Sequence, residues 1–134
     1  MGLSICYDLR FPELYRDYSA QGAHALLIPA NFTQRTGRDH WEVLTRARAI
    51  ENQSFVIAPD QCGVNSGTGV ASYGHSVVVG PWGEVLALAG DEETVLSVTL
   101  EPAALESARN RVPALQHRRL PGKGVRSRVA ATRK

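Results

Sequence analysis

No apolar run in this 134-residue chain approaches the roughly 20 residues that cross a bilayer. The opening residues also lack the basic, apolar and small-residue sections of a secretory signal. No membrane partner is expected, and the expected location is cytoplasmic. Cysteine is scarce: Cys6 and Cys62 stand alone, too few and too far apart for a disulfide framework, which fits a reducing compartment. The four histidines, His24, His40, His75 and His117, form no closely spaced set with a cysteine or a carboxylate, so the usual zinc spacings are missing and no metal is expected. Gly67-Thr68-Gly69 lacks the third glycine of a dinucleotide fingerprint, and no Gly-Lys-Ser/Thr exists for a phosphate loop. No cofactor is expected.

Hydrophobic residues make up 43% of the chain and charged residues 21%, the balance of one globular domain with a modest core. The net charge of +2 hides an asymmetry, because residues 118–134 carry seven basic side chains and no acid while residues 1–117 sum to −5. That tail contains no aromatic side chain for base stacking and no recognisable nucleic-acid motif, so no nucleic-acid partner is expected. Residues 118–134 read as a solvated, disordered terminus, and residues 1–117 as the domain.

Gly2 to Cys6 is short and apolar, and Pro12 opens a helical stretch from Glu13 to about Ala20 that ends at Gly22. Ala23 to Ala30, with the run Ala25-Leu26-Leu27-Ile28, predicts a second strand, buried on both faces and lying beside the first. Trp41, Leu44, Ala47, Ala49 and Ile50 recur near helical spacing and predict a helix from Trp41 to about Gln53, with Asp39 as its N-cap and Glu42/Arg46 as an i,i+4 pair. Phe55 to Ala58 reads as a buried strand and residues 62–71 as a flexible loop. Ser76–Val79 and Glu84–Ala89 flank the turn-rich Gly80-Pro81-Trp82-Gly83, which suggests a β-hairpin. A strand from Thr94 to Leu100 and a helix from Pro102 to about Arg111 complete the pattern. Early alternation and a late meander define a mixed α/β (α+β) class, a sheet with helices on one face.

A cysteine acts as thiolate, and needs a base or a positive dipole to become one. Cys6 stands where an apolar strand stops, just ahead of Asp8, Arg10 and Pro12, so its thiol would project from a strand-to-helix elbow. There the N–H after the nucleophile is free to meet a developing oxyanion. The competing reading is a buried structural cysteine, since free cysteine is among the most buried residue types. Position alone leaves both open.

The segment Gly2-Leu3-Ser4-Ile5-Cys6-Tyr7-Asp8-Leu9-Arg10-Phe11-Pro12-Glu13 resembles the nucleophile motif of the nitrilase superfamily of carbon–nitrogen hydrolases, its amidase branches above all. The resemblance continues through Ile28-Pro29-Ala30-Asn31-Phe32, through His40-Trp41-Glu42 to Arg46-Ala47-Arg48-Ala49-Ile50-Glu51-Asn52, and through Ser72-Tyr73-Gly74-His75-Ser76 and Pro81-Trp82-Gly83-Glu84. It implies an αββα sandwich and a Glu-Lys-Cys set: Glu as general base, Lys at the tetrahedral intermediate, Cys as acyl carrier. The substrate it implies is a small-molecule amide or a related compound. Cys6 matches the cysteine, the Tyr7 N–H would help hold the oxyanion, and Asn31 and Phe32 would line the substrate pocket. Without the resemblance, Asn31 reads as a strand-ending turn residue and Phe32 as a packing aromatic.

In the family, the motifs bearing the Glu and the Lys precede the cysteine motif. Here five residues precede Cys6, and the lysines are Lys123 and Lys134, both in the tail. Glu42 and Glu51 read as ion-pairing or capping residues of the Trp41 helix. The resemblance thus implies the C-terminal half of a sandwich, inactive by itself, whose uncovered sheet face favours a homo-oligomer. The alternative is a non-catalytic interaction or assembly module that keeps the fold. Gly74-His75-Ser76-Val77-Val78 ends in Val where a serine-hydrolase elbow needs Gly, so Ser76 reads as an ordinary strand residue and Cys62 as structural packing.

Overall fold

The computed structural model describes residues 1–120. The expected basic tail lies outside the described residues from 121 onward. One five-stranded sheet organises the chain, in the order β1-β2-β3-β4-β5: Gly2–Leu3, Ala25–Leu27, Phe55–Ala58, Val77–Val79 and Val85–Leu88. The first three strands are parallel, and the β4–β5 hairpin is added antiparallel to β3. Each parallel pair is joined by a helix, α1 (Pro12–Ala20) between β1 and β2 and α2 (Gln34–Asn52) between β2 and β3. Parallel neighbours require such crossovers because a tight turn cannot return the chain to the same end of the sheet.

Alternation along the strands sorts the sheet into two faces. Leu26, Ile28, Val56, Ala58, Val77 and Val79 point to the helices and form one core with Tyr15 of α1 and Trp41 and Ala49 of α2. Trp41 is 1% exposed, and burying a side chain of that size makes its truncation to alanine worth about 3–5 kcal/mol. The register aligns the other face into an apolar row, Leu3, Leu27, Ile57, Val78 and Ala87. Leu3 there is 61% exposed, and Leu27, Ile57 and Ala87 are half-buried. Helices α3 (Pro102–Arg111) and α4 (Ala114–His117) follow. Arg109 of α3 donates to the Gln53 and Ala23 carbonyls, which ties α3 to the starting ends of β2 and β3, away from Cys6.

Three expectations need correction. Helix α2 begins at Gln34 with Thr33 at its N-cap, rather than near Trp41 with Asp39. Its first two turns carry no apolar periodicity, and they include Gly37, a weak helix former. Gly37 is required there, since a Cβ would meet the Tyr73 ring at 2.1 Å. The expected strand Thr94–Leu100 is absent: Leu96, Val98 and Leu100 alternate in burial as a strand would, but the segment pairs with no strand among the described residues. The predicted strand through Cys6 stops at Leu3, and Cys6–Arg10 instead forms a 3-10 turn.

Candidate active site

Beyond Leu3 the backbone keeps its pairing to the second strand's exit, with Ser4 N–H on the Leu27 carbonyl (3.1 Å) and Cys6 N–H on the Pro29 carbonyl (2.8 Å). The chain must then turn sharply, and Cys6 takes φ +46°, in the left-handed region that a non-glycine residue enters at a cost of about 1–2 kcal/mol. The turn is fastened on both sides. Oδ2 of Asp8 accepts the Ile5 N–H at 2.8 Å, and buried Leu9 offers its carbonyl to Nε (2.9 Å) and Nη2 (2.7 Å) of Arg48 on α2. Arg48 also pairs with Glu51 at 2.8 Å. Glu51 and Glu42 both form ion pairs on α2, Glu42 with Arg46 at 3.3 Å.

Cys6, Asn31 and Asp60 lie just past the carboxyl ends of β1, β2 and β3, the region of an open α/β sheet where ligands bind. The half-buried Cys6 thiol opens on two cavities. The larger, about 420 Å³, is lined by Ile5, Pro29, Ala30, Asn31, Pro59, Asp60 and Gln61 with the cysteine. The smaller, about 260 Å³, adds Tyr7, Arg10, Phe32, Thr33 and Thr36. All four residues singled out from the sequence, Cys6, Tyr7, Asn31 and Phe32, therefore meet around one point.

Each is held differently. Cys6 Sγ faces the Asn31 carbonyl at 3.8 Å, a long sulfur contact. Asn31 Oδ1 accepts the Ser72 hydroxyl at 2.7 Å. Phe32 is 4% exposed, its ring centroid 4.9 Å from that of Trp41. Tyr7 is 66% exposed and stands second in the 3-10 turn, where its N–H has no intrahelical acceptor. The Arg10 guanidinium lies 5.5 Å from the Tyr7 ring and 5.3 Å from the Phe32 ring. Among the described residues there is no lysine, and no glutamate lines either cavity.

Asp60 was missed in the sequence. Oδ1 of Asp60 accepts the Phe32 N–H at 2.8 Å, and Oδ2 is buried with no partner among the described residues. Burial pushes its carboxyl up to about 6, against the opposing pull of the Phe32 and Gln61 N–H groups and of His75. The available signal was its position, an acid directly after the exit of a buried strand. Cys62 lies on a loop against a separate cavity of about 160 Å³, which it shares with Asp60 and His75. Ser76 spends its hydroxyl on the Asp60 backbone.

A parallel sheet edge with helical crossovers and a constrained thiol at the strand exits defines a candidate nucleophile-elbow protein. The chain belongs to the carbon-nitrogen hydrolase family, whose profile matches residues 1–110. It is 50% identical over 118 residues to a deaminated glutathione amidase of Synechocystis, covering 88% of this chain and 43% of that protein. Its structure is similar to that of Saccharomyces cerevisiae Nit3, a member of branch 10 of the nitrilase superfamily, with TM-score 0.82, 40% identity, and coverage of 89% of this chain and 44% of that one. It is also similar to a mutant amidase of Nesterenkonia sp. AN1 that carries the acetamide moiety of fluoroacetamide covalently on its active-site cysteine. The TM-score there is 0.71 with 36% identity, over 87% of this chain and 40% of that one. The chain thus spans about two-fifths of the length of these relatives.

Proposed function

We propose that this chain carries the nucleophile of an amidase-type hydrolase of non-peptide carbon–nitrogen bonds, with Cys6 forming the acyl-enzyme. The observation that carries this reading is the strained, doubly fastened Cys6 facing two cavities at the exits of three parallel strands. Strain at one residue persists only where the surroundings over-determine it, and such residues cluster at functional sites. The covalently modified cysteine of the Nesterenkonia amidase supports the same role here.

In this reading the Cys6 thiolate attacks the carbonyl carbon of a small-molecule amide. The Tyr7 N–H donates to the oxyanion, and Asn31 and Phe32 wall the acyl pocket. The leaving nitrogen takes a proton and departs as ammonia or an amine, and water then releases the acid. Among the described residues no glutamate lines either cavity and there is no lysine, so this reading takes the general-base Glu and the oxyanion-binding Lys from a partner chain or from further polypeptide. The protein works in the cytoplasm as a homo-oligomer. The exposed Leu3 end of the apolar sheet row supports association, and light scattering showing a folded monomer at high concentration would remove that part.

The activity test measures ammonia release from simple amides and N-carbamoyl compounds. These 134 residues alone are expected to turn over negligibly. The same chain extended by the family's Glu and Lys motifs is expected to be active, and Cys6→Ala in the extended chain should lower the rate by at least about 1,000-fold. An extended Cys6→Ala protein that retains the parent rate contradicts the assignment.

A further inference from the structure

The peptide unit joining Asn31 to Phe32 meets two functional groups at once. Its carbonyl oxygen lies 3.8 Å from the Cys6 sulfur, and its N–H donates to Oδ1 of Asp60 at 2.8 Å. These two ends belong to one rigid plane, so whatever holds the N–H also aims the carbonyl. We propose that Asp60 is a positioning residue for Cys6: by gripping the Phe32 N–H it keeps the Asn31 carbonyl turned on the sulfur and restrains the reactivity of the thiol. The proposal rests on reading Cys6 as the nucleophile and adds to that reading a residue acting through the intervening peptide.

Asp60 is built to hold still. Its own N–H donates to Ser76 Oγ at 2.9 Å, its carbonyl accepts the Ser76 hydroxyl at 3.2 Å, and it bridges to Ala30 of the neighbouring chain segment. The residue is 7% exposed, and Oδ2 finds no hydrogen-bond partner among the described residues. The Phe32 N–H is the contact through which this carboxyl reaches the peptide beside Cys6.

The direction of the effect follows from charge. A carbonyl oxygen facing sulfur favours S–H and repels a thiolate, and an ionised carboxyl on the far N–H polarises the same peptide further. Ionised Asp60 therefore restrains the thiol most. Burial places this change at about pH 6, so the restraint is full above that pH and weakens below it. The groups around Asp60 are His75, which favours its ionised form, and Cys62, Glu92 and Glu93, which line the small cavity on its other side.

The test follows iodoacetamide alkylation of Cys6 in the 134-residue chain, peptide by peptide so that Cys62 is counted separately, in wild type and in Asp60→Asn. The isosteric amide keeps an acceptor oxygen and removes the charge, which weakens the bond to Phe32 by an amount that, transmitted in full through the peptide to the sulfur, corresponds to about a fivefold change in rate. Asp60→Asn is expected to react about fivefold faster above pH 7, and the mutant-to-wild-type ratio should fall toward one below about pH 6. A purely structural Asp60 would give a ratio that does not vary with pH. Such a ratio, an unchanged rate or a slower mutant overturns the proposal. The Phe32 amide proton in the NMR spectrum of wild type needs no variant, and it should titrate with the same midpoint. Its failure to do so overturns the proposal even where Asp60→Asn does not fold. Loss of the nucleophile assignment would appear separately, as activity surviving Cys6→Ala in the extended chain.

Discussion

Cys6 and Cys62 are both half-buried thiols just past strand exits, yet the chain around them solves its geometry in opposite ways. Near Cys62 the left-handed conformation falls on the next residue, Gly63 at φ +85°, which has no side chain to strain. At the first strand's exit it falls on the cysteine itself, at φ +46°. The difference teaches that one turn carries its local cost on the thiol-bearing residue while the other avoids it, and the Arg48 and Asp8 hydrogen bonds are what make the cost at Cys6 tolerable.

The largest effect that would break this contrast is at Arg48. Arg48 is 5% exposed and its guanidinium holds the Leu9 carbonyl and Glu51, so Arg48→Ala should destabilise the chain by about 4 kcal/mol and loosen the Cys6 turn while leaving the Cys62 loop in place. Urea denaturation measures the first. Hydrogen exchange confined to residues 5–10 measures the second.

Asp60, which lines cavities on both sides, sets the next effect. Its folded carboxyl lies above the ordinary value of 3.8, at about 6, so its contribution to stability is full below the lower value and is lost as pH rises through the upper one. The stability of Asp60→Asn relative to wild type should therefore grow by up to about 3 kcal/mol between those two values and stay level above them. Denaturation midpoints of the two proteins across that window provide the check, and a constant difference would show that the carboxyl titrates normally.

The smallest effect sharpens the contrast most. Cys6→Gly should be more stable than Cys6→Ala by about 1 kcal/mol, because glycine accepts the left-handed backbone. At Cys62 the order should reverse by about 0.5–1 kcal/mol, since glycine there only adds freedom to the unfolded chain.

Much of this was legible in the residues. The apolar runs at Ala25–Ile28 and Phe55–Ala58 and the turn-flanked hairpin fell where the strands are, since burial on both faces leaves a continuous apolar signature. Family membership followed from motif order, and the profile match supports it. The first turns of α2 were hidden because they are held by Thr33 and by the packing of Gly37 on Tyr73, neither of which leaves a periodic trace. The segment 94–100 carried a strand's alternation, but alternation does not say whether a partner strand exists. Asp60 was out of reach for a related reason. Its contact with Phe32 spans 28 positions, and nothing local marks an acid after a strand as buried.

On the proposed reading, the fold prepares the Cys6 thiol and not that of Cys62. Brief alkylation of the native chain with limiting reagent, followed by mass-spectrometric mapping of both cysteines, tests it directly. Cys6 should be modified well ahead of Cys62. Preferential labelling of Cys62, or equal labelling of the two, would contradict the account.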